Sequence, residues 1–260
     1  MSKSVWISMI KKDEAAAQAV YKIVSACGLG ADGHFWKDDL ENLAWSGPIP
    51  EIAKNTTGLW LIVGDAADLT PSVIQGLSLL ALAVRPQKDG QIPTMILADD
   101  PAAVTDKLPL PLAGAGVFAA DNPALGAKIA AKANLPVKRG ETEYRLNVYA
   151  PPQVGLWLEA GPAAGSWEGV IFGACGSGAA IDAMGIGPAG RIPEKSTLEY
   201  PLRDMSLALG DRQFTAWAAG NTVSETESVY VRVKGRPEAL LFGPFDPEAD
   251  ALDVYNLPLA

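Results

Sequence analysis

The first half of the chain alternates between short, continuously apolar runs and longer stretches whose apolar residues recur every three or four positions. A run that is apolar on both faces is typical of a strand buried in a parallel sheet, and the wider spacing is typical of a helix. The pattern predicts strands at 5–10, 34–36, 58–63, 92–98 and 116–119, and helices at 14–26, 50–54, 71–84 and 122–133.

This alternation predicts the fold class of the first half. Helices that connect parallel strands cover both faces of the sheet. Five such units in about 135 residues match a doubly wound, five-stranded, flavodoxin-like sheet with the strand order 2-1-3-4-5. We therefore expect an α/β domain over residues 1–138.

The hydrophobic pattern changes near residue 140. Helical spacing largely disappears, and short stretches alternate between apolar and polar residues, separated by clusters rich in glycine, proline and asparagine. The predicted strands lie at 144–149, 154–159, 167–172, 206–209, 214–218, 229–233 and 239–242. Short strands with such turns indicate an antiparallel β-sandwich, here over 143–260, with 138–141 as the linker. The predicted fold class is therefore α/β plus all-β.

Composition narrows the functions that this chain can have. Its 260 residues include 21 Lys and Arg against 30 Asp and Glu, which gives a net charge of −9. Nucleic-acid binding depends on clustered basic residues, so we expect no nucleic-acid partner. One histidine and two cysteines are too few for most zinc sites, which use three or four nitrogen or sulfur ligands. We expect no metal and no cofactor.

Hydropathy also bears on location. The most apolar stretch, 73–84, is shorter than the roughly 18 residues that a membrane-spanning helix needs. The N-terminus lacks the apolar core of a signal peptide. We expect a cytoplasmic protein that does not bind membranes.

Polar residues follow the predicted strands at their carboxyl ends, where open α/β sheets bind ligands. These residues are Ser8, Lys12, Asp13, Asp65 and Asp99. Such a ring could hold a hard cation or the hydroxyl groups of a ribose, which predicts a small-molecule or nucleotide site. The alternative is that they are only the polar starts of solvated loops.

Asp65 also resembles the phosphoacceptor of receiver domains, which share this topology. Those domains have paired acids after the first strand, a hydroxyl after the fourth strand and a lysine after the fifth. This sequence has Lys11-Lys12, Ala98 and Ala120-Asp121 at the matching positions. We therefore reject a phosphoacceptor function.

Residues 4–100 resemble a TIR domain. The strand at 5–9 and the Lys-Asp-Glu at 12–14 are similar to the first TIR box. The segments similar to later TIR elements are 50–54, 58–63 and 92–97. The resemblance implies a role in protein assembly. NAD-cleaving TIR domains have a glutamate on the helix after the third strand, but 70–84 contains no acidic residue, so the resemblance does not imply NAD cleavage.

The helix predicted at 71–84 has no charged residue in fourteen positions. A helix that is apolar nearly all round is covered on both sides. The sheet covers one side, and we expect the C-terminal domain or a second copy of the chain to cover the other. The expected interface residues are Val73, Ile74, Leu77 and Leu80. The alternative is an ordinary core helix.

In the second half, residues 210–233 resemble the last hairpin of immunoglobulin-like and fibronectin-like sandwiches. They contain a turn, an alternating strand, a Gly-Asn loop and a closing strand. The resemblance implies a fold and no particular function. Trp157, Trp167 and Trp217 are either core residues of the sandwich or a platform for a sugar ring.

Three functions follow from these patterns. The first is a non-enzymatic intracellular sensor or assembly protein, in which the TIR-like domain contacts a protein partner or a second copy and the sandwich is a recognition module. The second is a small-molecule or nucleotide-binding protein, or a hydrolase, that uses the acidic strand ends. The third is a carbohydrate-binding β module. We favour the first, because the sequence shows no constellation of nucleophile and base, metal ligands or phosphate loop.

Overall fold

The computed structural model describes residues 3–88, 90–136, 142–151, 153–249 and 251–260. The chain divides into two compact units. The N-terminal unit comprises Met1–Leu40, Ala44–Gly140 and Ala260, and the C-terminal unit comprises Glu41–Leu43 and Glu141–Leu259. The predicted linker at 138–141 lies outside the described residues.

The N-terminal unit has the predicted flavodoxin-like fold. Its parallel strands are β1 (Ser4–Met9), β2 (Gly30–Phe35), β3 (Thr57–Val63), β4 (Thr94–Ala98) and β5 (Gly116–Ala119). Their order is β2-β1-β3-β4-β5, which confirms the prediction. The helices are α1 (Glu14–Ala26), α2 (Ile49–Ala53), α3 (Pro71–Val84), α4 (Pro101–Thr105) and α5 (Leu125–Ala133). Short 3₁₀ turns lie at Ala44–Ser46, Arg85–Lys88 and Leu110–Leu112.

Local sequence explains where the longer helices begin. The Asp13 side chain accepts a hydrogen bond from the Ala16 amide and caps α1, and the Thr70 side chain accepts one from Val73 and caps α3. On one face of the sheet, α1 and α5 enclose a core that includes Val24, Leu61 and Ile129. This core accounts for the amphipathic pattern of both helices.

Helix α3 is covered by its own unit. It packs against α2 and against the 3₁₀ turns at Ala44–Ser46 and Leu110–Leu112. A side chain added at Gly76 would collide with the ring of Trp36. The four predicted interface side chains are accordingly buried, at 5% exposure or less: Val73, Ile74, Leu77 and Leu80. The residues around this helix come from segments distant in sequence, and an interface with a partner at these four positions stays a prediction.

The C-terminal unit is built from antiparallel sheets, as predicted. Its strands are β6 (Tyr144–Tyr149), β7 (Leu156–Pro162), β8 (Ser166–Trp167), β9 (Val170–Cys175), β10 (Ala180–Pro188), β11 (Leu202–Leu209), β12 (Arg212–Ala219), β13 (Val223–Ser224), β14 (Glu227–Lys234), β15 (Ala239–Pro244) and β16 (Tyr255–Pro258). One sheet has the order β10-β14-β7-β6, a second has the order β11-β12-β9-β15-β16, and β13 pairs with β8.

Aromatic contacts mark where the two larger sheets face each other. The ring centroids of Tyr144 on β6 and Phe242 on β15 lie 5.0 Å apart, and Phe242 also packs on Phe172 of the neighbouring strand β9 in its own sheet, at 5.7 Å. The prediction missed β10, because its sequence AIDAMGIGP contains small residues and glycine in place of a clear apolar alternation. In the part of the chain that the structure describes, no helix has the length and apolar character needed to cross a bilayer.

Candidate functional site

The acidic residues at the strand ends of the N-terminal unit mostly bind nearby backbone amides. Asp13 accepts from the Ala16 amide at 2.9 Å, and Asp99 accepts from the Asp100 amide at 2.8 Å. Asp65 is the exception, because it accepts from the Asp99 amide at 3.2 Å across two loops. The structure therefore brings Asp65 and Asp99 together, while Asp13 caps its own helix.

Two further predicted ligand residues lie in different surroundings. Ser8 is fully buried, and its hydroxyl oxygen accepts a hydrogen bond from the Trp60 indole at 2.9 Å. Lys12 is exposed. Within the described residues, no three His, Cys, Asp or Glu side chains are grouped so that they could hold a metal ion. A ligand-binding role for this end of the sheet stays a prediction.

The sandwich carries a polar cluster that sequence patterns did not reveal. It lies on the four-stranded sheet, on the face opposite to Tyr144, because neighbouring residues of a strand point to opposite faces. Cross-strand pairing aligns Asn147, Glu159, Tyr230 and Gly185 in one row across the four strands. We call this surface the outer face; its polar members are Arg145, Asn147, Tyr149, Glu159, Ser228 and Tyr230.

Glu159 is the centre of the cluster. Its side chain is 0% exposed, and each carboxylate oxygen accepts two hydrogen bonds. The Gly190 amide and the Ser228 hydroxyl donate to Oε1, both at 2.8 Å. The Asn147 amide and the Tyr149 hydroxyl donate to Oε2 at 2.9 Å and 2.5 Å. Four donors replace the water that the carboxylate loses on burial.

These contacts keep Glu159 ionised. Burial raises the pKa of Glu159, but the hydrogen bonds from Tyr149, Asn147, Gly190 and Ser228 outweigh burial, so its pKa lies below the ordinary value. Burial and the adjacent Glu159 carboxylate both raise the pKa of Tyr149 and of Tyr230. The two phenols therefore stay protonated and remain hydrogen-bond donors.

Arg145 completes the charge balance of the outer face. Its guanidinium donates to the Glu227 carbonyl at 2.6 Å and to the Ser228 hydroxyl at 3.2 Å, and it also binds the Pro162 carbonyl. Arg145 reaches Glu159 through Ser228 and interacts favourably with its charge. The result is a chain of contacts from a cation through a hydroxyl to a buried carboxylate.

The cluster holds one end of the loop at 189–201, which connects β10 to β11. Besides the bond from Gly190 to Glu159, the Arg191 amide donates to the Tyr230 hydroxyl at 2.9 Å. The Tyr230 hydroxyl in turn donates to the Pro188 carbonyl at 2.5 Å. The loop is therefore tied to the sheet at its first residues.

The far end of the same loop is tied to Asn221. The Glu199 amide donates to the Asn221 side-chain oxygen at 2.9 Å, and the Asn221 side-chain amide donates to the Thr197 carbonyl at 3.1 Å. The Gly220 amide donates to the Glu199 carbonyl at 2.7 Å. These bonds flank Tyr200 on its N-terminal side.

Tyr200 lies in this fixed loop and is the most exposed large hydrophobic side chain among the described residues. It is 89% exposed, and its φ of 45° lies in the left-handed region, which costs a non-glycine residue on the order of 1 kcal/mol. Gly220 lies against the ring, since a Cβ there would be 3.4 Å from Cδ2 of Tyr200. The sequence of the loop at 189–201 did not predict that Tyr200 adopts a left-handed backbone conformation.

The three tryptophans of the predicted sugar platform differ in their exposure to solvent. Trp167 and Trp217 are buried, whereas Trp157 is only partly buried. The Arg232 guanidinium lies 5.8 Å from the Trp157 ring centroid and is held by Asp182 through bonds of 2.7 Å and 3.0 Å. Trp157 therefore remains available at the end of the outer face.

Comparison with known proteins gives little further information. No family model and no curated protein matches the chain. A solved structure of HP1043, an orphan response regulator of H. pylori, matches at 17% identity and a TM-score of 0.31. The match covers 52% of this chain and 100% of that chain. A TM-score this low does not establish a shared fold. The flavodoxin-like assignment of the N-terminal unit therefore depends on its own strand order.

Proposed function

We propose that this chain is a non-enzymatic sensor or assembly protein. In this proposal the β-sandwich recognises a protein partner through the loop at 189–201, and the N-terminal unit, which is TIR-like in sequence, makes a second protein contact. The observation that carries the proposal is the exposure of Tyr200 on a loop that is hydrogen-bonded at both ends.

The fixed loop reduces the entropic cost of binding. A loop that is already ordered loses little conformational freedom when a partner docks. Tyrosine is enriched in binding hot spots, because it provides a large contact area with few rotatable bonds and a hydroxyl group. An exposed aromatic ring in an unfavourable backbone conformation is a feature that folding alone does not favour.

The chemistry of Glu159 supports a positioning role for this residue. All four of its hydrogen bonds favour the ionised form, so it is poorly suited to take up and release a proton near neutral pH. Its contact with Gly190 instead fixes the loop on the sheet. In this proposal Glu159 does not contact the partner but holds the loop that presents Tyr200 to it.

Site-specific photo-crosslinking tests the proposal. A photoreactive phenylalanine analogue replaces Tyr200 in the full chain, and the matched control carries it at Val154, which is 44% exposed in the same unit. We expect a discrete protein adduct from position 200 in cells of the source organism and none from position 154. The captured protein is then purified, and its affinity for the Tyr200→Ala chain should fall about 10-fold or more relative to the native chain.

Two results would count against recognition through this loop. One is the same set of adducts from positions 200 and 154. The other is an unchanged affinity of the captured protein for the Tyr200→Ala and Val154→Ala chains.

A carbohydrate is the second candidate ligand, and Trp157 is the observation that favours it. Its partly buried ring lies beside Arg232 and is paired across the strands with Tyr149. Aromatic faces that are flanked by hydrogen-bonding groups suit sugar rings. A glycan array that binds the native chain and not a folded Trp157→Ala variant would establish this function, and an array without any binding would reject it.

A further inference from the structure

Strand β2 forms one edge of the N-terminal sheet. Among the described strands it pairs only with β1. The Gly30 amide donates to the Lys3 carbonyl just before β1, and the Trp36 amide donates to the Met9 carbonyl at its end. The backbone groups of the alternate residues Ala31, Gly33 and Phe35 therefore point to the open edge. The Gly33 amide is covered only by the neighbouring Asp32 side chain, at 2.8 Å. Extended backbone is the structure that fits such an edge.

An apolar groove of about 230 Å³ runs beside this edge. Its floor is flat at Ala31 and Gly33, and a Cβ at Gly33 would lie only 2.3 Å from the Ile7 carbonyl oxygen. Tyr21 and Phe35 project from its margin and are 51% and 36% exposed. The groove therefore combines small residues with two exposed aromatic rings.

We propose that two copies of this chain associate through antiparallel pairing of their β2 strands, with a two-fold axis at Gly33. This inference rests on the proposed assembly function and names the partner of the N-terminal unit. Five strands from each copy then form one continuous sheet of ten. In this register Gly33 lies opposite the partner's Gly33, Ala31 opposite the partner's Phe35, and Asp32 opposite the partner's His34.

The strand is complementary to itself in shape. A two-fold contact places each patch of surface against its own copy. Here it places the ring of Phe35 over the partner's Ala31, where the small side chain leaves room beside Tyr21. Cross-strand neighbours of this kind determine the stability of paired strands. The exposed ring of one copy thus fills the groove of the other.

The strand is also complementary to itself in polar groups. In the proposed dimer, Asp32 of one copy lies opposite His34 of the other copy, and the two residues have no backbone hydrogen bonds between them. In antiparallel sheets, side chains approach most closely at such pairs. The His34 Nδ1 accepts a hydrogen bond from the Trp6 indole at 3.1 Å, so the neutral ring carries its proton on Nε2. That proton is available to the partner's Asp32. Pairing gives the Gly33 amide a backbone acceptor and releases Asp32 for this contact.

Sedimentation of the full chain over a range of concentrations tests the proposal. We expect a concentration-dependent dimer. Phe35→Asp should raise its dissociation constant by about 100-fold or more, because each dimer loses two buried rings. The matched control is Leu209→Asp, on an edge strand of the other unit at 39% exposure, and it should leave the dimer unchanged.

A disulfide test covers the case in which Phe35→Asp does not fold. The variant with Asp32→Cys and His34→Cys keeps both Phe35 rings and should form a covalent dimer under mild oxidation, because in the proposed register position 32 of one copy lies opposite position 34 of the other. Each single cysteine variant serves as its control and should remain uncrosslinked. A native chain that stays monomeric at every concentration, a dimer insensitive to Phe35→Asp, or a double variant that does not crosslink would overturn the proposal. None of these results would affect crosslinking at Tyr200, so the two proposals fail separately.

Discussion

Acidic residues have different roles in the two units of this protein. In the N-terminal unit, Asp13 and Asp100 are exposed and accept hydrogen bonds from amides two or three residues away. In the sandwich, Glu159 is fully buried and binds donors that are between 10 and 69 residues away in sequence. Asp13, a predicted ligand residue, is thus a local helix cap. Glu159, which lies inside an alternating strand, instead binds donors from three separate segments of the outer face and its loop.

Removal of the central carboxylate should have the largest effect. Glu159→Ala removes a fully buried acceptor and leaves its four donors, including the buried Ser228 hydroxyl, without that acceptor. We expect it to lower the free energy of unfolding of the sandwich by about 3–5 kcal/mol. Native-state hydrogen exchange of the buried sandwich amides measures this value. Glu159→Gln keeps the shape of the side chain and should lose less. A change below about 0.5 kcal/mol for Glu159→Ala would show that the cluster is not structural.

Removal of one donor should have a smaller effect. Ser228→Ala breaks the link between Arg145 and Glu159, and we expect a loss of about 1–3 kcal/mol because the carboxylate retains three donors. The same hydrogen-exchange measurement applies. Ser166→Ala is the control, since that hydroxyl is exposed and binds only Glu168 nearby. Equal losses from the two variants would contradict the importance of the cluster.

Acid should weaken the sandwich through Glu159. Its pKa is lowered in the folded state, so the unfolded chain binds protons more readily than the folded chain. The stabilisation is present above the ordinary glutamate pKa and is lost as the pH falls from that value through the folded-state pKa. Sandwich stability should therefore decrease more steeply in this range for the native chain than for Glu159→Gln. Parallel pH profiles for the two chains would disprove this contribution.

Loss of a local cap should have the smallest effect. Asp13→Ala removes the acceptor for the Ala16 amide, and we expect a loss of about 1 kcal/mol confined to the N-terminal unit. Faster hydrogen exchange in the first turn of α1 would show it. Asp13→Ser retains a capping group and should restore most of the stability. A loss that also reached the sandwich amides would contradict the local character of the cap.

Much of the fold could be predicted because its signals are local. The strand order of the N-terminal sheet followed from continuous apolar runs such as β3, alternating with helices. The cover of α3 could not be predicted, because it is provided by loop residues such as Trp36 that have no periodic pattern. In the sandwich, the alternation around β6 was visible, whereas the small residues of β10 hid a strand that pairs with β14.

The candidate site on the sandwich shows the same limit. Asn147 and Glu159 alternate with buried apolar residues, a pattern that usually means exposure to solvent. The structure buries Glu159 because the loop after β10 folds over it and Gly190 donates to it. An acidic residue in the middle of a strand was a signal, but the residues that stabilise it come from three separate parts of the chain.

The amino-acid sequence therefore specified four of the five helices of the N-terminal unit and the order of its parallel strands, because side-chain direction depends on residues a few positions apart. Tertiary structure decided which surfaces are covered, whether a carboxylate is solvated or buried, and where Tyr200 is displayed. These properties depend on contacts between distant segments, and Glu159 has its low pKa only when four such contacts form together.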